Sequence, residues 1–194
     1  MTKIILASQS PRRKELLTDM GIVFDALPST YDKQPDATND PTEIAEKRAV
    51  GKAMAIAREF PSAIVIGADT LVTFKGKRLE KPSSPEEAVK TLKLLAGKTH
   101  EVTTGMAVIC LDEGIRLVDS DTAKVTFKPY DEQAVRAYVA TGEPMKYAGA
   151  YDIKGAAPLV GRFDGHIHTA LGLATENLAE MLSMVGIYAS PIDS

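Results

Sequence analysis

The sequence has few of the residues that build disulfides, zinc clusters or base-stacking surfaces. It contains one cysteine, Cys110, in 194 residues, which excludes an intramolecular disulfide and a zinc site made of several cysteines. It has no tryptophan, and aromatic residues make up 6% of the chain. Since single-stranded nucleic acids are bound largely by stacking on aromatic rings, a module of that kind is a poor interpretation.

An excess of positive charge and long apolar runs are also missing. The formal net charge is -3, which disfavours broad electrostatic attraction to nucleic acid. No apolar run approaches the roughly 20 residues that a membrane-spanning helix needs. The N-terminus leads directly into a strand pattern and has no features of a signal peptide. We therefore expect a cytoplasmic protein with no nucleic-acid partner and no membrane partner.

The composition that remains is typical of a globular protein, and strand and helix patterns alternate along it. Hydrophobic residues make up 44% of the chain and charged residues 25%. An apolar run at 63–67 predicts a strand buried on both faces, and small apolar residues at helical spacing predict a helix over 42–59. A further strand is predicted over 163–170. These patterns indicate an α/β fold in a single domain over residues 1–188, followed by a tail at 189–194 that frays.

The segment after the first strand combines hydroxyl groups, a helix start and two cations. The apolar residues 4–6 are followed by Ser8 and Ser10, and Pro11 then stands at the first position of a predicted helix with Ser10 as its N-cap. Arg12 and Arg13 come next. Free N–H groups and two guanidinium groups at a helix N-terminus suit a polyphosphate anion. The alternative is an ordinary strand-to-helix turn with two solvated arginines.

Three further positions could carry chemistry. Asp69 follows the apolar strand and is predicted at its C-terminal end, where α/β sheets bind ligands, so it could bind a metal or activate water. The alternative for Asp69 is a turn residue or an N-cap. Lys81, held rigid before a proline, could direct its ammonium group at a phosphate, and Lys52 lies one helical turn beyond Arg48. A solvated surface position is the alternative for both lysines.

Four separated segments resemble, in order, the motifs of the Maf family of nucleotide pyrophosphatases. They are Ser8-x-Ser10-Pro11-Arg12-Arg13-x-x-Leu16-Leu17, Gly67-Ala68-Asp69-Thr70, Glu80-Lys81-Pro82 and Gly149-Ala150-Tyr151-Asp152-Ile153-Lys154-Gly155. The resemblance extends over nearly the whole chain. It implies a Maf/ITPase-like fold, in which an elongated, curved mixed sheet is flanked by helices and two lobes surround a cleft. Members of this family are often homodimers.

The resemblance also implies a role for each matched residue. The catalytic residues would be Asp69, Lys52 and Lys81. Substrate would be bound by Ser8, Ser10, Arg12, Arg13, Thr70 and Lys154. A divalent cation, Mg²⁺ or Mn²⁺, would be held by Asp69 with help from Asp32 and the substrate phosphates.

The implied activity is metal-dependent hydrolysis of a nucleoside triphosphate to the monophosphate and pyrophosphate, which would remove unwanted or modified nucleotides from the cell. Relatives specific for dTTP and UTP read Gly-Ala-Tyr-Gly-Ile-Gln-Gly in the fourth motif, whereas this chain has Asp152 and Lys154 there. The dTTP/UTP branch is the best match, and Lys154 leaves the base preference open because an ammonium group only donates hydrogen bonds. The alternative is a nucleotide-binding regulator of cell division with little turnover.

Overall fold

A computed structural model describes residues 2–32 and 35–190 of the chain. These residues form seven strands: β1 (Ile4–Leu6), β2 (Asp25–Ala26), β3 (Ile64–Phe74), β4 (Lys77–Arg78), β5 (Thr99–Cys110), β6 (Ile115–Phe127) and β7 (Val160–Asp164). The helices are α1 (Pro11–Asp19), α2 (Pro41–Ala57), α3 (Pro85–Leu95), α4 (Glu132–Ala140), α5 (Ile167–Leu171) and α6 (Thr175–Ser183). Short 3₁₀ turns lie at Glu143–Lys146, Ala148–Ala150 and Ala157–Leu159.

The seven strands form one mixed sheet, which confirms the predicted α/β class. The strand order is β2-β1-β3-β5-β6-β7, and β4 also pairs with β3. β1 is parallel to both β2 and β3, whereas the β3–β4 and β6–β7 pairs are antiparallel. Helices flank this sheet. None of the helices in the described residues is both long and apolar enough to cross a bilayer.

The chain divides into two compact units. Unit 1 comprises Met1–Thr70, Thr104–Asp121 and His168–Ser194, and unit 2 comprises Leu71–Thr103 and Thr122–Ile167. The single domain predicted over residues 1–188 stays a prediction. The predicted fraying tail at 189–194 lies outside the described residues from position 191 onward.

The core of unit 1 forms where α2 packs on the sheet. The buried face of α2 includes the predicted stripe of small residues, and it meets side chains from β1, β3 and β5 in a cluster made of Ile5, Ala7, Ala49, Ala53, Ile56, Ala57, Ala63, Val65, Ala107 and Ile109. Two glycines allow the helix to come this close. A Cβ atom on Gly67 would lie 2.3 Å from the Ala49 carbonyl oxygen, and one on Gly105 would lie 2.4 Å from the Ala45 carbonyl carbon. The close approach of α2 to β3 therefore depends on Gly67, and its close approach to β5 depends on Gly105.

Unit 2 has a core of its own, in which aromatic rings pack beside two helices. α3 and α4 contribute buried aliphatic side chains, among them Leu92, Leu95 and Val135. The rings of His100, Phe127 and Tyr151 meet edge-on, with centroids 4.9–5.3 Å apart. These residues anchor the segment that follows α4, which carries the fourth sequence motif.

The strand predicted over 163–170 is wrong in its second half. β7 ends at Asp164, and α5 begins at Ile167. Gly165 lies between them with a φ of +105°, a conformation that glycine adopts readily and that ends the extended backbone. His168 is consequently in a helix, where its Nδ1 is 2.8 Å from the Thr175 hydroxyl in a buried hydrogen bond.

Candidate active site

Asp69 lies within β3, and the prediction that it stands at the end of a strand is wrong. β3 has 11 residues and continues to Phe74, so Asp69 is neither a turn residue nor an N-cap. The parallel pairing with β1 covers only Ile64 to Ile66. The pairing of β3 with β1 therefore ends before Asp69. This carboxylate lies beyond the C-terminal end of β1, although β3 itself continues. Asp69 is 5% exposed.

Two cations on α2 reach this carboxylate. Arg48 and Lys52 are four residues apart and so lie on one flank of the helix. The Lys52 ammonium donates to Asp69 Oδ1 at 2.6 Å and to the Ala68 carbonyl oxygen at 3.1 Å. The structure thus brings together two of the three residues predicted to be catalytic.

Arg48 and Asp36 belong to the same cluster, and the sequence analysis assigned no role to either. Arg48 Nη2 donates to Asp36 Oδ2 at 2.8 Å, and Arg48 Nη1 lies 3.8 Å from Asp69 Oδ2. The latter distance is too long for a hydrogen bond, and Asp69 Oδ2 is buried and accepts none from the described residues. The spacing of Arg48 from Lys52 could have indicated its position, whereas no pattern in the loop distinguished Asp36 from Asp32.

Asp32, the second predicted metal ligand, lies on a different surface. It is exposed and lines a cavity of about 410 Å³ together with Tyr31, Gly51, Arg58 and neighbouring residues. At 100° per residue, Gly51 and Arg58 lie on the side of α2 opposite its buried alanines. Asp36 rather than Asp32 is the carboxylate linked to Asp69, through Arg48.

The segment between β1 and α1 is held by Arg13. Arg13 donates to the Gly172 carbonyl oxygen at 2.7 Å, to the Thr70 hydroxyl at 3.0 Å and to the Ser8 hydroxyl at 3.4 Å. Burial lowers the pKa of Arg13 to about 10, and the nearby Asp69 carboxylate partly offsets that effect. Arg13 is therefore a cation at neutral pH, and its guanidinium is committed to contacts within the protein.

Ser10 occupies the predicted N-cap position of α1, but its side chain makes no capping hydrogen bond. Its N–H instead donates to the Ser8 hydroxyl at 3.2 Å. Arg12 is half-buried in the first turn of α1. The Ser10 hydroxyl therefore does not occupy the N–H groups at the start of α1, where the sequence predicted an anion to bind.

Thr70 connects the Arg13 contacts to the neighbouring strand. Its hydroxyl lies 2.9 Å from that of Thr104, and Thr104 donates to the Thr169 carbonyl oxygen at 2.7 Å. Because the Thr104 proton is used there, Thr70 must be the donor to Thr104, while the Thr70 oxygen accepts from Arg13. Thr70 thus makes structural contacts on both sides, a role that the sequence pattern did not reveal.

Lys81 and Lys154, the remaining predicted residues, belong to unit 2 and are both exposed. The motif that contains Lys154 is held by two buried groups. The Tyr151 hydroxyl is 2.7 Å from His100 Nε2, and the Asp152 N–H donates to the Tyr138 hydroxyl at 3.1 Å. The structure therefore fixes the backbone before Lys154 and leaves its side chain at the surface.

His100 should make the stability of the protein depend on pH. Burial lowers its pKa from 6.5 to about 4, so the unfolded chain binds this proton first and the native state loses stability as the pH falls from 6.5 to 4. The loss should approach about 3 kcal/mol by pH 4. Urea unfolding of wild type and His100→Gln at pH 7 and pH 4 measures it: the stability advantage of the wild type should shrink by that amount. Equal losses in both proteins would contradict the assignment.

Comparisons with known proteins agree with the motifs. The model of a family described as Maf-like protein matches residues 3–185. A protein of Methanosarcina mazei named dTTP/UTP pyrophosphatase is 40% identical over 189 residues, covering 96% of each chain. A protein of Moorella thermoacetica with the same name is 41% identical, covering 96% of this chain and 97% of its own. The solved structure of the Staphylococcus aureus Ham1 protein matches at 15% identity and a TM-score of 0.45, covering 65% of this chain and 72% of that one.

Proposed function

This chain belongs to the Maf-like protein family, and we propose that it is a nucleoside triphosphate pyrophosphatase that produces a nucleoside monophosphate and pyrophosphate. The relatives named dTTP/UTP pyrophosphatase match it over nearly their full length, so dTTP and UTP are the first substrates to test. The observation that carries the proposal is the buried Asp69 carboxylate, held by Lys52 at 2.6 Å, within the second motif of this family. The alternative of a regulator with little turnover is not favoured, because these relatives are named as enzymes.

The two oxygens of Asp69 have different roles in the proposed reaction. Oδ1 is occupied by Lys52, whereas Oδ2 accepts no hydrogen bond from the described residues and is the oxygen that can accept a proton from water. The water then attacks the α-phosphorus, the bond to the bridging oxygen breaks, and pyrophosphate leaves. Because Oδ2 is buried, side chains around it must shift for a water to reach it. Positioning and charge stabilisation supply most of the acceleration.

The phosphate chain would be held by the start of α1 and by lysines. Ser8, Ser10 and Arg12 offer hydroxyl and guanidinium groups near a helix N-terminus that has no side-chain cap. Arg13 contributes positive charge and positions Ser8 and Thr70 through its hydrogen bonds to both hydroxyl groups. Lys81 is the proposed further phosphate contact.

A divalent cation is the expected cofactor, but the protein groups do not form a metal centre by themselves. Asp69 offers one oxygen without a hydrogen bond, and Arg48 and Lys52 lie beside this carboxylate. Across residues 2–32 and 35–190, no group of three or more His, Cys, Asp or Glu residues could hold a metal. No catalytic step is assigned to an ion here. Mg²⁺ or Mn²⁺ would arrive mainly on the substrate phosphates, which is how Mg²⁺ is commonly bound.

Lys154 is the proposed determinant of base preference. Replacing it with glutamine supplies a hydrogen-bond acceptor as well as donors, so Lys154→Gln should shift the ratio of kcat/KM values toward dTTP and UTP by about tenfold, the value of one good hydrogen bond. The measurement is kcat/KM for each nucleoside triphosphate. Lys146→Gln, at another exposed lysine in the same unit, is the matched control. Equal substrate profiles for Lys154→Gln and wild type would contradict the role.

The activity itself is tested by pyrophosphate release from the common nucleoside triphosphates in the presence of Mg²⁺ or Mn²⁺. Release of pyrophosphate and the monophosphate in equal amounts is the expected result. Release of inorganic phosphate as the first product would contradict the reaction type, and tight binding without turnover would favour the regulator. The cytoplasmic location, the homodimer and the removal of unwanted nucleotides stay predictions.

A further inference from the structure

The carboxylate proposed to react, Asp69, belongs to a buried cluster of four charged side chains. The side chains of Asp36 and Arg48 are each 7% exposed, that of Asp69 is 8% exposed and that of Lys52 is 20% exposed. Two carboxylates and two cations leave the cluster neutral. Burial of this many charges is costly unless each is paired, so the pairing pattern shows what holds each side chain.

Arg48 is held by Asp36 and not by Asp69. Its one hydrogen bond to a carboxylate is the 2.8 Å contact with Asp36, and its Nε is buried and makes no hydrogen bond within the described residues. Asp69 Oδ2 is likewise buried without a hydrogen bond, 3.8 Å from Arg48 Nη1. The Arg48 guanidinium, which is hydrogen-bonded to Asp36, thus lies beside Asp69 Oδ2 but donates no hydrogen bond to it.

We propose that Arg48, fixed by Asp36, is a built-in counter-cation of Asp69 Oδ2 that weakens binding of a divalent cation when no nucleotide is present. An ion bound to Oδ2 would stand beside this fixed positive charge, because Arg48 Nη1 lies 3.8 Å from that oxygen. Repulsion between charges in a buried site is screened by salt much less than repulsion at the surface. The inference rests on the proposed function only in taking Asp69 as the reacting carboxylate. It explains why the ion would enter with a nucleotide, whose phosphates supply the missing negative charge.

The test is calorimetric titration of the full chain with Mn²⁺ alone. The double variant Arg48→Met, Asp36→Asn removes both the guanidinium and the carboxylate that holds it. The net charge of the cluster is therefore unchanged, and no charge is left buried without a partner. We expect it to bind Mn²⁺ about tenfold more tightly than wild type, because the cation that is removed adjoins Asp69 Oδ2 whereas the carboxylate removed with it contacts Arg48 Nη2. Arg48→Lys, which retains a cation, is the matched control and should remain within about threefold of wild type.

Equal Mn²⁺ affinity in the double variant and wild type would overturn the proposal, as would equal gains in the double variant and Arg48→Lys. Thermal unfolding checks that each variant is folded, and Arg48→Gln, Asp36→Asn replaces the first pair if that pair fails to fold. Because the titration contains no nucleotide, its result does not depend on turnover. Failure of the proposed pyrophosphatase function would appear separately, as absence of pyrophosphate release by wild type.

Discussion

Replacing Asp69 with asparagine should lower kcat for pyrophosphate release by about 10³-fold. The amide has nearly the same size as the carboxylate but cannot take a proton from water at neutral pH. Asparagine can still accept a hydrogen bond from Lys52, so we expect the variant to fold and to bind nucleotide. The measurement is steady-state pyrophosphate release, with nucleotide binding and thermal unfolding measured on the same preparation.

The control for this variant is Asp119, a half-buried aspartate of unit 1. Asp119 on β6 accepts hydrogen bonds from Asn177 at 2.9 Å and from the Ser120 N–H at 2.8 Å, and no role in the reaction is assigned to it. Asp119→Asn should retain activity within about twofold of wild type, because its hydrogen bonds involve none of the residues assigned to the reaction. Should Asp69→Asn retain a tenth or more of the wild-type kcat, Asp69 could not be the residue that activates water.

Lys52→Met should reduce both activity and stability. It removes the cation 2.6 Å from Asp69 Oδ1 and leaves a carboxylate that is 5% exposed without its hydrogen-bonded cation. We expect the free energy of unfolding to fall by about 3 kcal/mol, as for loss of one partner of a buried ion pair. We expect kcat to fall by at least about 10²-fold because Asp69 loses its orienting partner. Urea unfolding and pyrophosphate release measure the two effects.

A double-mutant cycle measures the coupling free energy between Lys52 and Asp69 separately from the effect of each residue alone. If Lys52 acts on Asp69, the loss of stability in Lys52→Met should be smaller when Asp69 is already asparagine, with a coupling of about 1–3 kcal/mol. Lys52→Arg, which retains the charge, should lose less stability than Lys52→Met. Additive losses in the double variant would show that Lys52 stabilises the fold independently of Asp69.

Local patterns predicted most of the secondary structure. The alanine spacing predicted the buried face of α2, and Pro11 after Ser10 predicted the start of the helix that is observed as α1. The strand predicted over 163–170 was wrong in its second half because Gly165, at positive φ, ends the extended backbone there. The end of β3 was misplaced because β3 continues on pairing with β5, a contact distant in sequence.

The site was predicted only as far as the motifs extended. Lys52 and Asp69 were expected together and are in contact, whereas Asp36 and Arg48 were given no role. Asp32 and Asp36 look alike in a polar loop, and only the path of that loop over α2 determines which of them meets Arg48. Pairing between a loop and a helix face depends on three-dimensional packing, for which neither helical nor strand periodicity provides a signal.

The position of water attack tests the central claim most directly. Hydrolysis of dTTP or UTP in ¹⁸O-labelled water, followed by mass spectrometry of both products, identifies the phosphorus that is attacked. The account predicts one ¹⁸O atom in the nucleoside monophosphate and none in pyrophosphate, with this incorporation lost in Asp69→Asn. Label in pyrophosphate or in inorganic phosphate as the first product would contradict it.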